Sequence, residues 1–322
     1  MQKISVKNNN RTDKFKGILR ERAILIVLIL LFIAMSLLKT DTFFTVRNLT
    51  NVLRQITVLG IFSCGMTMVL ISGNFDLSVG SLYSVCMVIP VLLQPYGLFI
   101  SIFVTILVGL AIGALNGFFV GKLKANAFIV TLGMAAILQG LALIVTDGHY
   151  IPGDPDHPYA FIGAGKIWNI PFPVFILVFI IIISHFILSK TTLGRSIYVT
   201  GGNKYAAFSS GINTANIQMT TFAILGIFCA VGGIITSSLI DSGDPFGGKG
   251  FEFDVITAAI LGGTSLFGGK GNILNTMIGV LLLGVLANSM IILGFPFSAQ
   301  QIIKGGILVT AVYYDMVSRG DR

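Results

Sequence analysis

The chain has 322 residues, of which 54% are hydrophobic and only 11% charged, against roughly 25% charged for a soluble globular domain. A chain of this length cannot hide so much apolar surface in a water-soluble core. The surplus faces lipid, which excludes most soluble enzyme classes. The net charge of +8 does not point to nucleic acid, because the basic residues follow membrane topology and do not cluster with aromatics along a groove.

Lys3, Lys7, Arg11, Lys14, Lys16, Arg20 and Arg22 precede the first apolar run at 23–38. No small-residue cleavage pattern follows that run and further runs come after it, so it reads as an uncleaved anchor behind a mobile, basic cytoplasmic tail over 1–22. Ten blocks read as spans: 23–38, 52–71, 77–93, 98–120, 127–145, 172–188, 217–240, 254–265, 273–293 and 299–315. A full crossing needs about 20 apolar residues, so 254–265 suits a half-helix or re-entrant segment. The expected fold is all-α: one polytopic helical bundle over 23–315 with a short cytoplasmic tail over 316–322. With the first residue inside, the segments 72–76, 121–126, 189–216, 266–272 and both tails lie in the cytoplasm. They hold fifteen of the 21 Lys and Arg, which favours this orientation because basic residues are retained inside.

The first break, 72–80, separates two apolar runs by almost nothing. Gly73 and Gly80 suit a broken helix, and Asn74, Asp76 and Ser78 bring polar groups to it. A lone carboxylate at the bilayer centre costs on the order of 2.5–3.5 kcal/mol. Asp76 therefore lies near the surface or is held by freed backbone amides at a helix start, organising the break; cargo contact is the lesser reading. Gly109, Gly113, Gly117 and Gly121 recur every four residues, a stripe that lets another helix approach closely.

Two loops are long. Residues 146–171, on the outer side, carry Pro152, Pro155, Pro158 and the lone Trp168, and read either as a partner-docking segment or as a proline-stiffened connector. The cytoplasmic loop 189–216 is more informative. Asn203 suits the cap of a short helix over 204–210 that Gly211 ends, and Ala206 and Ala207 leave low relief for a partner to grip. Gly248 and Lys249 complete a G-x-x-x-x-G-K pattern from Gly243, but Gly250 stands where Ser or Thr would hold magnesium and Pro245 and apolar spans surround it. The pattern is rejected as a phosphate loop, and the segment is expected outside.

The Gly/Ser-rich stretch 261–272 resembles the break at 72–80. Each is followed by an apolar run with an embedded asparagine, Asn116 and Asn288, which suggests two related halves over 52–145 and 217–315 with a path between them. Gln139, Gln300 and Gln301 are further intramembrane polar residues, and Lys304 suits snorkelling or pairing. The candidate path set is therefore Asn74, Asp76, Ser78, Asn116, Gln139, Asn288, Gln300 and Gln301. For Gln139, Asn288, Gln300, Gln301 and Lys304, interhelical hydrogen bonding is the plainer account. Cys64, Cys86 and Cys229 lie in apolar blocks and His149, His157 and His185 are scattered, so neither a metal site nor a catalytic constellation is expected. No carboxylate chain suits a proton relay, which counts against an ion-driven carrier.

An ordered series of short motifs adds a resemblance. It comprises GMTMVLISG over 65–73, DLSVGS over 76–81, NG at 116–117, AFIVTLG over 127–133, GR at 194–195, GGN over 201–203, AA at 206–207, SGI over 210–212, LGGTSLFGGKG over 261–271 and QQIIKG over 300–305. In these, from about 45 to 315, the chain resembles the membrane permease subunit of bacterial ATP-binding-cassette importers of the ribose/monosaccharide family. Asn74 and Phe75 depart from the smaller residues usual before the aspartate, and Tyr205 stands where other importer classes favour an acid.

The resemblance implies a multi-pass protein of the bacterial cytoplasmic membrane, paired with an identical or a different second permease chain. A cytoplasmic ATPase would dock through Asn203, Lys204, Tyr205, Ala206, Ala207, Ser210, Gly211 and Ile212, and a soluble sugar-binding protein would deliver cargo outside. ATP and magnesium would belong to the ATPase, leaving this chain without cofactor or catalytic residue. A pentose or hexose is the expected cargo, with a polyol, a nucleoside or a signalling sugar still open.

Overall fold

The computed structural model describes residues 11–320, with side chains over 24–317. The first ten residues of the expected tail lie outside the described residues, and a helix already runs from Arg11. In chain order the helices are α1 (Arg11–Leu38), α2 (Thr40–Phe43), α3 (Val46–Ile71), α4 (Val79–Leu92), α5 (Leu98–Gly117), α6 (Ala127–Thr146), α7 (Ala160–Ala164) and α8 (Phe172–Lys190). They continue as α9 (Thr192–Gly202), α10 (Lys204–Ser209), α11 (Thr214–Ile240), α12 (Phe251–Leu261), α13 (Ile273–Ile292) and α14 (Phe297–Gly320). Four two-residue strands complete the set: β1 (Ile151–Pro152), β2 (Lys166–Ile167), β3 (Ile170–Pro171) and β4 (Ser242–Gly243).

The chain is an all-α polytopic bundle. Each expected span coincides with a helix, and among the described residues six helices, α3, α11 and α13 among them, are long and apolar enough to cross a membrane. α4 has 14 residues and α12 only 11. At about 1.5 Å per residue neither reaches across a hydrocarbon core of about 30 Å. The expected tail at 316–322 is, as far as Gly320, the last turn of α14.

Burial sorts the helices into layers. In α3 83% of the spanning window is buried and in α11 61%, against 17% in α6. The first two form the core and α6 presents its apolar face outward. α3 and α11 are antiparallel: Gly65 packs on Leu225 and Phe228, and Gly232 makes room for the Phe62 ring. Ser72 Oγ stands 3.4 Å from Thr221 Oγ1. On the other flank of α11, the backbones at Phe222, Met219 and Ala215 leave no space for a Cβ at Gly113, Gly117 and Gly121, and Gly109 faces Gly226 and Ala230.

The same order of elements occurs twice. A long helix, an extended stretch, a short helix and two further helices make up α3–α6 and again α11–α14. The stretch matching 72–78 is 241–250, which precedes the short helix α12. The sequence comparison instead paired the first break with 261–272, which follows α12.

Loop 146–171 is folded onto the bundle. Tyr159 is wholly buried, its hydroxyl 2.9 Å from Ile234 O and 2.5 Å from Ser237 Oγ. The Gly163 amide donates to Ser238 Oγ at 2.8 Å, and β1 pairs antiparallel with β4. Trp168 and Asn169, both at positive φ, form the two-residue turn of the β2–β3 hairpin, with Trp168 88% exposed at its tip.

Candidate functional site

Three features lie between the α10 end of the bundle and its middle. The first is the helix break after α3. Asp76 is buried and its Oδ1 accepts the Ser78 amide at 2.7 Å and the Ser78 hydroxyl at 2.6 Å. Asn116 Nδ2, reaching over from α5, donates to Ser78 Oγ at 2.9 Å and to Asp76 Oδ2 at 3.3 Å. A short acidic side chain turned back on the first turn of α4 meets amides that the break leaves unpaired, and favours the positive end of that helix. Asn74 is buried too, with its amide 3.4 Å from Ser72 Oγ. Asp76, Ser78 and Asn116 thus form one polar knot at the broken helix, while Asn74 bonds Ser72 at the end of α3.

The second is a junction of three loops. The Gly269 amide, in the loop after α12, donates to Ile71 O at the end of α3 over 2.8 Å. Gly201, near the end of α9, is pressed between them, so that a Cβ there would strike Ile71 O and stand 2.8 Å from the Gly269 nitrogen. A Cβ on Gly268 would stand 2.9 Å from Gly73 Cα. Tyr198 of α9 donates to Gly271 O at 2.8 Å, and Asp315 of α14 accepts from Ser265 Oγ and the Leu266 amide at 3.0 and 3.1 Å. The break after α3, the loop after α12 and the last helix therefore meet at the root of α10.

α10 follows two residues later. Asn203 Oδ1 accepts the Ala206 amide at 3.0 Å as a cap, and Gly211 turns the chain at φ +81°. Tyr205 and Phe208, three apart on one face, are 89% and 73% exposed. Ala206 is exposed but Ala207 is fully buried. Helical periodicity turns Ala207 onto the bundle as an anchor, which corrects the expectation that both alanines offer a gripping surface. Lys204 Nζ donates to Gln218 Oε1 at 3.0 Å, and burial, with the ammonium of Lys124 nearby, holds it below the ordinary lysine range.

The third is a crossing of two half-helices. The stretch 242–250 is no outer loop: it descends antiparallel to α4, from Gly243 beside Val88 to Gly248 against Gly80. The Gly248 amide donates to Ser84 Oγ at 3.0 Å. The starts of α4 and α12 thus lie side by side inside the bundle. A cavity of about 380 Å³ opens there, lined by Ser81, Gln139, Leu143, Phe246, Lys249 and Glu252 among others. Gln139 Nε2 donates to Pro245 O at 3.0 Å, fixing one wall. Below it Lys304 Nζ donates to Asp254 Oδ2 at 2.6 Å, an ion pair between α14 and α12.

With this geometry in place, a family model described as the permease component of the branched-chain amino acid transport system matches residues 48–312. The chain belongs to this permease family. It is 36% identical to the ribose import permease RbsC of Haemophilus influenzae over 96% of this chain and 97% of that one. It is similar to RbsC of Bacillus subtilis at 33% identity (94% of each chain). It also resembles the L-arabinose permease AraH of Escherichia coli K12 at 36% (94% of this chain, 92% of that one). No solved structure matches.

In the permease the remaining path candidates do not converge. Asn288 of α13 exchanges amide hydrogen bonds with Asn48 of α3, at 2.7 and 3.1 Å, so its polar atoms are engaged in helix packing. Gln300 donates to Phe295 O at 3.0 Å near the start of α14, and Gln301 is exposed beside it. Gln139 alone among the glutamines reaches the cavity. Ser81, Lys249, Glu252 and Asp254 were missed. Their one signal is charge: Lys249 and Glu252 fall in the segment expected outside, and Asp254 opens the expected half-helix 254–265. Among the described residues no group of three His, Cys, Asp or Glu could hold a metal ion.

Proposed function

We infer that this permease is the membrane subunit of an ATP-binding-cassette importer for a monosaccharide, with a pentose as the leading cargo. It forms the path with a second permease chain in a bacterial cytoplasmic membrane, both termini inside. ATP and magnesium act on a separate ATPase that grips α10 and its flanks, Asn203 to Ile212. A soluble sugar-binding protein delivers cargo at the α7 end. Relatives named for ribose and for arabinose support the cargo class.

The observation that carries the reading is the placement of α10. Its exposed aromatic pair offers a partner the kind of anchor that dominates interface energetics, and its root is fastened to the break after α3 and to the loop after α12. Closure of two ATPases would move α10, and the junction would pass that displacement to α4 and α12 together. Coupling of several kcal/mol is enough to invert a two-state population.

Uptake of labelled D-ribose into proteoliposomes holding both subunits and supplied with the binding protein tests this. Accumulation is expected only with ATP and with the ATPase present. Uphill uptake without ATP, or its collapse under a protonophore while ATP remains, would establish an ion-driven carrier instead. The Lys304–Asp254 pair is the one feature that favours the carrier reading.

A further inference from the structure

We propose that the cavity where α4 and α12 begin is a water-filled cargo subsite for an uncharged polyhydroxylated molecule. Ser81, Gln139, Lys249 and Glu252 would exchange hydrogen bonds with its hydroxyls. This rests on the importer reading above and adds to it a place and a set of contacts.

Depth comes first. Ser81 lies eleven residues before Leu92, the α7-side end of α4, or about 17 Å along a helix. Glu252 lies nine residues before Leu261, at the α10-side end of α12, or about 14 Å. The hydrocarbon core is about 30 Å thick, so the cavity sits near its middle.

Charge comes second. Lys249 is exposed, and Glu252 only half buried, on the open side of the cavity. The described residues contain one salt bridge, Lys304–Asp254, and Lys249 has no carboxylate within pairing distance. An unpaired ammonium at mid-depth does not face lipid tails; such residues line water-filled cavities or pathways. The surface that would be lipid-exposed in a lone chain is therefore wet at this point.

Chemistry comes third. At the α12 start Gly250 holds φ +81°, and the amides of Phe251 and Phe253 donate to Gly248 O at 3.0 Å and Gly250 O at 3.2 Å, so the groups offered to a ligand are side chains. Lys249 donates only, Glu252 accepts only, and the Ser81 hydroxyl and Gln139 amide do both. Leu143 and Phe246 supply the apolar surface on which the carbon face of a sugar ring rests. A volume of about 380 Å³ falls within the usual range for small-molecule sites. One cation beside one carboxylate leaves little net charge, which suits a neutral molecule. Half-helix starts at a mid-membrane site are the arrangement by which broken helices hold solutes in transporters.

The test uses the full complex in vesicles. Cys64, Cys86 and Cys229 are buried and give low background to a membrane-impermeant cationic thiol reagent. Lys249→Cys and Glu252→Cys should react at least tenfold faster than Phe179→Cys, which lies on the exposed face of α8. Labelling no faster than at Phe179→Cys would overturn a wet cavity whether or not the complex carries sugar. A disulfide between two Lys249→Cys chains without reagent access would overturn it too, marking a contact between copies. In the same vesicles Glu252→Gln and Ser81→Ala should lower D-ribose uptake at least tenfold while ATP hydrolysis stays within twofold. Unchanged uptake, or uptake of L-leucine in place of D-ribose, would refute the subsite. Failure of wild-type sugar uptake with rapid cysteine labelling would refute the importer reading and the cargo assignment but leave the wet cavity standing.

Discussion

The backbone amide of Gly269 is bonded to the carbonyl of Ile71 over 2.8 Å, with Gly201 pressed against both. Three segments far apart in the chain therefore touch backbone to backbone at the foot of α10. A Cβ on Gly201 or on Gly269 would force them apart.

Gly201→Ala should uncouple the permease. Its Cβ would strike Ile71 O and crowd the Gly269 nitrogen, whereas the next residue, Gly202, has open space around its missing Cβ. Overpacking of this kind costs about 1–3 kcal/mol. Gly201→Ala is expected to cut transport at least tenfold while ATP hydrolysis continues, and Gly202→Ala to leave both near wild type. Equal effects of the two substitutions would show that the junction plays no part.

What the sequence makes legible here is what is local and periodic. The i, i+4 recurrence of Gly109, Gly113, Gly117 and Gly121 marks a close helix contact wherever the partner lies, and Asn203 before Lys204 marks a cap within three residues. Non-local pairings carry no such signature. Asn288 meets Asn48 across 240 residues, and nothing in either neighbourhood says that the two amides satisfy each other. The half-helix crossing was hidden for a related reason. A Gly-rich stretch with Lys249 and Asp244 has the composition of an aqueous loop, and only its packing on Ser84 and Gly80 shows that it descends into the bundle.

The exposed face of α10 should matter to binding and not to folding. Tyr205→Ala and Phe208→Ala remove rings that this chain barely contacts. Each is expected to weaken ATPase association by about 2 kcal/mol, roughly thirtyfold in affinity, with the unfolding temperature of the isolated permease unchanged. Asn203→Ala removes the cap and should destabilise α10 itself by about 1 kcal/mol. Co-purification of the ATPase with each variant, set beside thermal unfolding, separates the two effects. Full retention of the ATPase by the Tyr205→Ala, Phe208→Ala double variant would remove α10 as the docking element.

The glycine stripe makes a graded stability prediction. Gly113→Ala sets a methyl against Phe222 O and the Gly226 backbone, while Gly133 and Gly140 of α6 have nothing near their missing Cβ. Overpacking at Gly113 should destabilise the bundle by about 1–3 kcal/mol. Ala at Gly133 or Gly140 should instead add helix propensity, worth up to about 1 kcal/mol. Trp168 is the lone tryptophan and sits exposed on the hairpin, so far-ultraviolet circular dichroism during heating follows the bundle better than its fluorescence. A Gly113→Ala protein that melts with wild type would mean that α5 and α11 pack less closely than the structure has them.

Lys304 and Asp254 tie α14 to the half-helix α12, each about one-fifth exposed. Removing one partner leaves the other charge unpaired within the bundle, at about 2.5–3.5 kcal/mol on membrane-insertion scales. Removing both leaves no orphan charge, and neutral replacements of similar shape can recover much of the loss. Lys304→Met and Asp254→Asn should therefore each destabilise the permease strongly, and the double variant should be more stable than either single one. The coupling read from such a cycle should be at least about 1 kcal/mol, above the usual 0.3–0.5 kcal/mol tolerance for independent sites. Additive single effects would place both groups in water or lipid headgroups. Should the double variant fold and hydrolyse ATP with its partner yet fail to move sugar, the pair would serve the passage of α12 between its two positions as well as its anchoring. An importer powered only through α10 would still accumulate sugar under a protonophore in that background, if it transports at all. An ion-driven carrier would lose all uphill uptake with Asp254→Asn alone, whatever the state of the ATPase.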